Sequence, residues 1–475
     1  MSTTPAEAAK KNRTVLDQHG QSYELTGRIG EGGQGIVCTT NYPNVLVKVA
    51  RATSEEKRAS WTNKIRALMR QPLEGLPIAH PLALITQPQP GYVMELMDGL
   101  TPVAELMQVA TDALMSDEGL SGYVKTGGLL RRLKMLARLA RVLADLHGRG
   151  LAYGDLSPAN VFASQSLEYA EVWLIDADNV ASQSRDGQQG VFTPDYGAPE
   201  ILRGESGINT LTDSWSFAVM AYRVLTLVHP LKGDVVLEGE PEREDAALRG
   251  ELPWVDHPTD RSNALSIGLP RELTLNAPQR ALFEQCFNAG LNIPGDRPSL
   301  SEWADAFEAA TGHCDQCAAC GSTFFYTSKQ ICPFCDHLQD KSRTILLQEY
   351  RYMPPELLRE GLTEDVPESL IRKECWTRTG KALVLSMNPA ELKTLPLGTS
   401  LYADAIPLCT VQLAKDGLWI EPSASARISL QRASDDKVVA VARRQRLKSD
   451  SRSGTSFWLH LGAVDEEHVV WRFNW

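Results

Sequence analysis

Apolar positions along this chain change their period several times, and each change marks an element. Leu129, Leu133, Leu136, Leu139, Ala140, Leu143 and Leu146 recur at intervals of three and four, so the spacing predicts a helix from Leu129 to His147 with one buried stripe. Ser54 to Met69 reads as an earlier helix, set among short strand-like runs that continue to Met94-Glu95-Leu96-Met97. Trp215 to Val228 is the longest apolar stretch. Ser216, Tyr222, Arg223 and Thr226 interrupt it, which suits a helix buried in a globular core and falls short of the roughly 18 apolar residues of a membrane span. Pro241 to Pro270 is polar and Pro-rich and reads as an exposed excursion. After Asp340 the texture shifts to short β-like runs separated by Gly, Ser, Asp or Pro: 382–387, 418–420, 426–430, 438–442, 457–461 and 469–475. Such runs point to an antiparallel sandwich or barrel.

The 475 residues leave room for two or three domains. Net charge is −11 and unevenly spread: residues 1–340 hold 29 Lys and Arg against 42 Asp and Glu, the remainder 19 against 17. An acidic first part argues against nucleic acid as a partner. Residues 1–20 read as a disordered tail without an apolar secretory segment. With no membrane span, a cytoplasmic location and no membrane partner are expected.

One stretch constrains the chemistry more than any other. Asp155-Leu156-Ser157-Pro158-Ala159-Asn160 is followed by Leu174-Ile175-Asp176. Phosphoryl transfer from Mg-ATP needs a carboxylate to take the acceptor hydroxyl proton (Asp155), plus an amide and a second carboxylate to hold magnesium (Asn160 and Asp176). Upstream, Gly30-Glu31-Gly32-Gly33-Gln34-Gly35-Ile36-Val37 forms a Gly-rich turn whose backbone N–H groups can approach phosphates. Lys48 interrupts the apolar strand Val45-Leu46-Val47-Lys48-Val49-Ala50. A buried ammonium needs an anion, and the α/β-phosphates of ATP would supply it.

Taken in order, these motifs resemble a eukaryotic-type Ser/Thr protein kinase domain over residues 21–311. Ala198-Pro199-Glu200 is similar to the end of that family's activation segment. Asp213 matches the buried Asp that starts its central helix, and Arg297 the late Arg that pairs with the Glu. A buried Glu200–Arg297 pair makes physical sense, since either charge alone in a core is costly. The resemblance implies a bilobal α+β kinase fold. It places Gly30, Gly32, Gly35 and Val37 around the nucleotide, and puts adenine under the backbone of Glu95 to Gly99. More narrowly, the chain resembles a bacterial subgroup found beside von Willebrand A proteins and PPM-class phosphatases in tellurite- or metal-resistance clusters, which implies those two as partners besides protein substrates.

The departures from the family pattern bear on mechanism. Tyr153-Gly154 replaces His-Arg before Asp155, removing the cation that would receive an activation-loop phosphate, although Ser182, Ser184 and Thr193 could still be modified. Thr193 is expected near Asp155, favouring Ser/Thr acceptors. Ser157 stands where the family has a γ-phosphate Lys, so transition-state charge must be met by metal or another cation. Asp176-Ala177-Asp178 replaces Asp-Phe-Gly. Where the family's regulatory-helix Glu should fall, the chain has Asn63-Lys64-Ile65-Arg66-Ala67. Either that helix is set differently or Lys48 has a non-carboxylate partner, and the choice stays open.

Five of nine cysteines crowd into residues 314–335. Cys317-x2-Cys320, eleven residues, then Cys332-x2-Cys335 is zinc-ribbon spacing over 312–340, with Cys314 as spare or as a replacement for Cys317. The reading is thus a kinase using ATP and Mg2+, a ribbon holding Zn2+, and a recruiting all-β domain over 341–475. A small-molecule kinase, a pseudokinase scaffold that binds nucleotide and assembles partners, and a nucleic-acid-binding ribbon protein are the competing classes.

Overall fold

The computed structural model describes residues 13–31, 35–51, 54–182, 192–327, 329, 331–360, 366–394, 405–434 and 437–475. The chain divides into two compact units. The first runs to Gly127 and adds Lys134–Pro270 and Ala277–Ala304, while the second comprises Gly128–Leu133, Arg271–Asn276 and Asp305–Trp475.

The first unit begins with β1 (Arg13–Asp17), β2 (Ser22–Glu31), β3 (Gly35–Thr40), β4 (Val45–Ala50), α1 (Glu55–Leu68), β5 (Ala83–Gln87) and β6 (Gly91–Glu95). Its strands close into a barrel in the order β1-β2-β3-β4-β6-β5. Alternation along the strands puts Val15, Tyr23, Val47, Ala83, Ile85 and Val93 into one core. The tail expected through residue 20 is therefore corrected: Arg13–Asp17 is a barrel strand that buries Val15. Asp17 turns the chain into β2, its Oδ1 accepting the N–H groups of His19 at 2.8 Å and Gln21 at 2.9 Å. Helix α1 starts where Ser54 Oγ accepts the Lys57 N–H, and buries Ile65 and Leu68.

Next come β7 (Leu100–Pro102), α2 (Val103–Leu114), α3 (Ser121–Lys125), α4 (Gly128–Gly148), β8 (Leu151–Ala152), β9 (Val161–Ser164), β10 (Val172–Leu174), β11 (Ala181–Ser182), α5 (Pro199–Leu202) and α6 (Thr210–Thr226). Two small sheets, β10-β9-β7 and β11-β8, frame the loops that carry Asp155, Asn160 and Asp176. Helix α6 is buried almost end to end, and the capping box of Asn209 with Thr212 satisfies its first amides. Trp215, Phe217 and Tyr222 on α6 pack edge-on or tilted against Phe287, Trp303, Trp254 and Phe283. The excursion expected over Pro241 to Pro270 is only partly exposed. Pro241–Leu248 is helical, and Trp254, Val255, Asn263 and Leu269 are buried. Asn263 Nδ2 donates to the carbonyls of Leu231 (2.9 Å) and Pro253 (2.8 Å), so a polar side chain organises a packed loop.

In the second unit β12 (Cys314–Gln316) pairs with β13 (Thr323–Phe325). Beyond them lie β14 (Ile345–Tyr352), β15 (Trp376–Leu385), β16 (Ala390–Thr394), β17 (Ile406–Ala414), β18 (Gly417–Pro422), β19 (Ser429–Arg432), β20 (Val438–Ala440), β21 (Gln445–Lys448), β22 (Ser456–His460) and β23 (His468–Asn474). They form a six-stranded sheet, β15-β14-β23-β22-β19-β20, and a four-stranded sheet, β16-β17-β18-β21. Both sheets contribute to one core, which includes Leu347, Leu459, Trp471, Val411, Leu418 and Ile420. Among the described residues no helix is long and apolar enough to cross a membrane.

Candidate active site

Strand register builds the roof of the site. Gly30 faces Val37, Val37 faces Lys48, and Lys48 faces Tyr92 across β2, β3, β4 and β6. Directly opposed residues project from the same face of a sheet, so Val37, Lys48 and Tyr92 line one surface. Gly35 is a close approach: a Cβ there would lie 2.7 Å from the Val49 carbonyl oxygen. Gly32, expected beside phosphate, lies outside the described residues, as does Ser184. Glu95 ends β6 with its side chain exposed, and the following Leu96 N–H is already donated to the Asn44 carbonyl at 3.0 Å.

Lys48 resolves the question left by the sequence. Its Nζ donates to Asp178 Oδ2 at 2.6 Å and to Asp176 Oδ2 at 3.1 Å. The partner is a carboxylate after all, but it comes from Asp176-Ala177-Asp178, not from α1. The other oxygen of Asp178, Oδ1, accepts from Tyr92 OH at 2.9 Å, and the Asp178 N–H donates to Asp176 Oδ1 at 3.0 Å. Tyr92 in turn stacks on Trp61 of α1, with ring centroids 5.9 Å apart and planes at 16°. Burial pulls the Lys48 pKa down, but the two carboxylates outweigh it and hold the ammonium above its ordinary value. Burial and the neighbouring Asp176 raise Asp178, against the pull of Lys48. Sequence reading missed Asp178 and Tyr92. The available signal was an Asp-x-Asp beside a buried lysine that had no helix carboxylate.

The catalytic loop is held by its backbone. Asp213 Oδ2 accepts the Tyr153 N–H at 2.6 Å and meets His147 Nε2 at 3.0 Å, while Oδ1 accepts the Gly154 N–H at 2.9 Å. Gly154 has φ +89°, and a Cβ there would lie 2.9 Å from the Asn179 carbonyl oxygen and 3.0 Å from two Ile208 carbons. Glycine is thus required by backbone geometry at the position where the family carries Arg. Asp155 follows directly. Its Oδ1 accepts both the N–H and the Oγ1–H of Thr193 at 2.8 Å, and its Oδ2 accepts from Asn160 Nδ2 at 3.2 Å. Asn160 Nδ2 also donates to the Asp155 carbonyl at 2.8 Å. The Ile175 N–H donates to the Asn160 carbonyl at 3.0 Å, so the Asp155–Asn160 pair and the Lys48–Asp176 pair are joined through adjacent backbone. Thr193, which the sequence placed near Asp155, is bonded to it.

Around this centre the fold is pinned by Glu200 and Arg297, which form two parallel bonds of 2.8 Å, with the Arg297 side chain fully buried. Arg297 also donates to the carbonyls of Gly290 and Leu211 and lies 4.9 Å above the Trp215 ring. His229 joins the segment after Thr193 to the following loop. Its Nε2–H donates to the Asp195 carbonyl at 2.8 Å and its Nδ1 accepts the Leu231 N–H at 3.1 Å. Burial, with nearby Arg223 adding to it, lowers this imidazole to about 3.

The charges suit a nucleotide with divalent metal. Asp176 and Asp178 set two carboxylates against the Lys48 ammonium, and Asp176 keeps part of its side chain exposed. Asp176 and Asn160 carry oxygens of the kind magnesium takes. In the second unit, the Sγ atoms of Cys317, Cys320, Cys332 and Cys335 lie within 4.8 Å of one another. Two of the separations are 3.6 Å (Cys317–Cys335) and 3.7 Å (Cys320–Cys332). A tetrahedron with Zn–S bonds near 2.3 Å has edges of about 3.8 Å, so the donor set fits zinc. The N–H groups of Ala319 and Phe334 and the Gln339 amide point at these sulfurs. Cys314 stands apart, its thiol directed to the Ala310 carbonyl.

Residues 23–288 match the family described as protein kinase domain, and the chain belongs to that family. The serine/threonine-protein kinase pkn2 of Myxococcus xanthus is 36% identical over 111 residues, covering 22% of this chain and 13% of the relative. The serine/threonine-protein kinase PknD of Chlamydia felis is 27% identical over 237 residues, covering 45% of this chain and 25% of the relative. Serine/threonine-protein kinase 17A of Oryctolagus cuniculus is 26% identical over 160 residues, covering 32% of this chain and 39% of the relative. The chain thus spans a quarter or less of the two bacterial proteins.

Proposed function

We propose that this protein phosphorylates Ser or Thr on partner proteins from Mg-ATP, within a bacterial phospho-signalling system. The observation that carries the reading is the convergence of Lys48, Asp155, Asn160 and Asp176, with Thr193 fastened to Asp155 at 2.8 Å by two bonds. Asp155 Oδ2 would orient the acceptor hydroxyl and take its proton, because it holds one longer bond from Asn160 whereas Oδ1 already takes two from Thr193. Lys48 would hold the α/β-phosphates, with Gly30, Gly32, Gly35, Val37 and the backbone near Glu95 enclosing the nucleotide. Asn160 and Asp176 would hold magnesium, which supplies charge neutralisation for the transferring phosphoryl group. The buried Glu200–Arg297 pair supports a peptide acceptor, since it fixes the segment that follows Thr193. Small-molecule kinases of related fold generally lack it.

The kinase region is assigned to residues 21–311 with β1 added, the four-cysteine module to 312–340, and the β-sandwich to 341–475. Zinc in the module would hold a short segment that has little core of its own. Module and sandwich together would serve docking. A von Willebrand A protein and a PPM-class phosphatase are the partners implied by the subgroup resemblance, and the cytoplasm is the expected location. The test is incubation of the full chain with labelled ATP, Mg2+ and dephosphorylated casein. Transfer that Asp155→Asn abolishes supports the kinase. Nucleotide binding without transfer to any acceptor supports a scaffold instead.

A further inference from the structure

We infer that Asp178, buttressed by Tyr92, is the positioning residue for Lys48, doing from the Asp176-Ala177-Asp178 segment the work that a carboxylate on α1 would otherwise do. The claim rests on the kinase reading above. Helix α1 offers no candidate: Glu55 and Glu56 lie in its exposed first turn, and the residues it turns inward are Arg58, Trp61, Thr62, Ile65 and Leu68. Asp178 by contrast is sealed, with 1% of its side chain exposed, and it makes the shorter of the two bonds to Lys48.

Each part of this arrangement has a geometric cause. Lys48 and Tyr92 are direct partners across β4 and β6, so the phenol and the ammonium leave the same face and reach one acceptor from two sides. Stacking on Trp61 fixes the Tyr92 ring, and the phenol fixes Asp178 Oδ1. Oδ2 is then aimed at Lys48 at 2.6 Å. Without Asp178, the Lys48 ammonium would have Asp176 as its one carboxylate partner and would draw on the charge that Asp176 needs for metal. With Asp178 present, Lys48 is both oriented and electrostatically satisfied, and Asp176, with 30% of its side chain exposed, keeps charge available to the cleft. In this chain α1 reaches Lys48 only through an aromatic stack, so the direct ionic link between helix and lysine is absent among the described residues.

The test uses the full chain and ATP itself. Asp178→Asn, which keeps shape and removes charge, is expected to raise the KM for ATP at least tenfold and to weaken ATP binding by calorimetry to a similar degree. Tyr92→Phe is expected to weaken ATP binding about threefold. The loss should fall on the KM for ATP, with kcat within about twofold of wild type, because the phenol acts on the lysine that holds the nucleotide. A purely structural role would lower the folded fraction, and with it kcat, while leaving KM in place. ATP affinity and KM within twofold of wild type in folded Asp178→Asn would overturn the inference, and so would unchanged ATP affinity and KM in Tyr92→Phe. Should wild type bind ATP but transfer nothing, the kinase reading fails while calorimetry on the two variants still decides this one.

Discussion

Gly154→Ala is a small change that should have a large effect, and its size follows from the structure. A non-glycine residue in the left-handed region costs about 1–2 kcal/mol. The new Cβ would sit 2.9 Å from the Asn179 carbonyl oxygen and 3.0 Å from two carbons of Ile208, so the loop must shift. That shift strains the bond from the Gly154 N–H to Asp213 Oδ1, 2.9 Å long and charge-assisted, a class worth roughly 1.5–3 kcal/mol. The sum is a destabilisation of about 2.5–5 kcal/mol. Because Asp155 is the next residue, any part of that shift carried into its carboxylate lowers transfer, about tenfold for each 1.4 kcal/mol lost at the transition state. The assay pairs urea denaturation with phosphate transfer to casein, and adds Gly154→Arg, which restores the family residue. Arg should be as harmful as Ala, since the fault lies in the backbone. An Ala variant as stable and as active as wild type would refute the reasoning, and so would an Arg variant more active than Ala.

Other outcomes follow from other parts of the molecule. The full chain should hold one zinc by elemental analysis. Cys332→Ser should lose it while Cys314→Ser keeps it, and metal content unaffected by Cys332→Ser would remove the zinc assignment. Glu200→Gln or Arg297→Met alone should cost about 3–5 kcal/mol in urea denaturation, because each strands a buried charge, whereas replacing both should cost less than the two summed. His229 has its folded pKa lowered to about 3 from 6.5, so its contribution is complete above pH 6.5 and lost as pH falls from there toward 3. Stability should thus decline by up to about 1.4 kcal/mol per pH unit across that window from this group, and His229→Gln should flatten the decline.

How much of this was legible depended on whether a residue's role was local. The helix read over Leu129 to His147 runs Gly128–Gly148, and the one read over Ser54 to Met69 runs Glu55–Leu68 with Ser54 as cap. All six β-like runs after Asp340 overlap strands, because alternation and turn residues are local signals. Strand β1 was missed because five residues with one buried valine and one buried aspartate carry too little pattern, and its place is fixed by pairing with β5. Strand β21 hid in Arg443 to Lys448. Arg446 there pairs with Asp416 at 2.5 Å and Arg444 lies over Trp419, an edge strand blunted with charge. At the site, spacing singles out Lys48, Asp155, Asn160 and Asp176 for their proposed roles. It does not single out Asp178, whose place depends on Tyr92, 86 residues earlier in the chain.

The departures from the family pattern fit one another once their geometry is compared. A kinase whose lysine is tied to its helix, and whose loop arginine awaits a phosphate, has two places where a signal can complete the site. Here Lys48 is tied to Asp178, two residues from Asp176, and Gly154 leaves no room for the arginine. Asp155 is held instead by Thr193, and the loop amides by Asp213. Every one of those contacts lies between elements packed in the same unit, and none requires a phosphate or a helix movement to form. On the proposed kinase reading, control of such a centre would have to act on access of nucleotide or acceptor, because Lys48, Asp155, Asn160 and Asp176 already hold these partners.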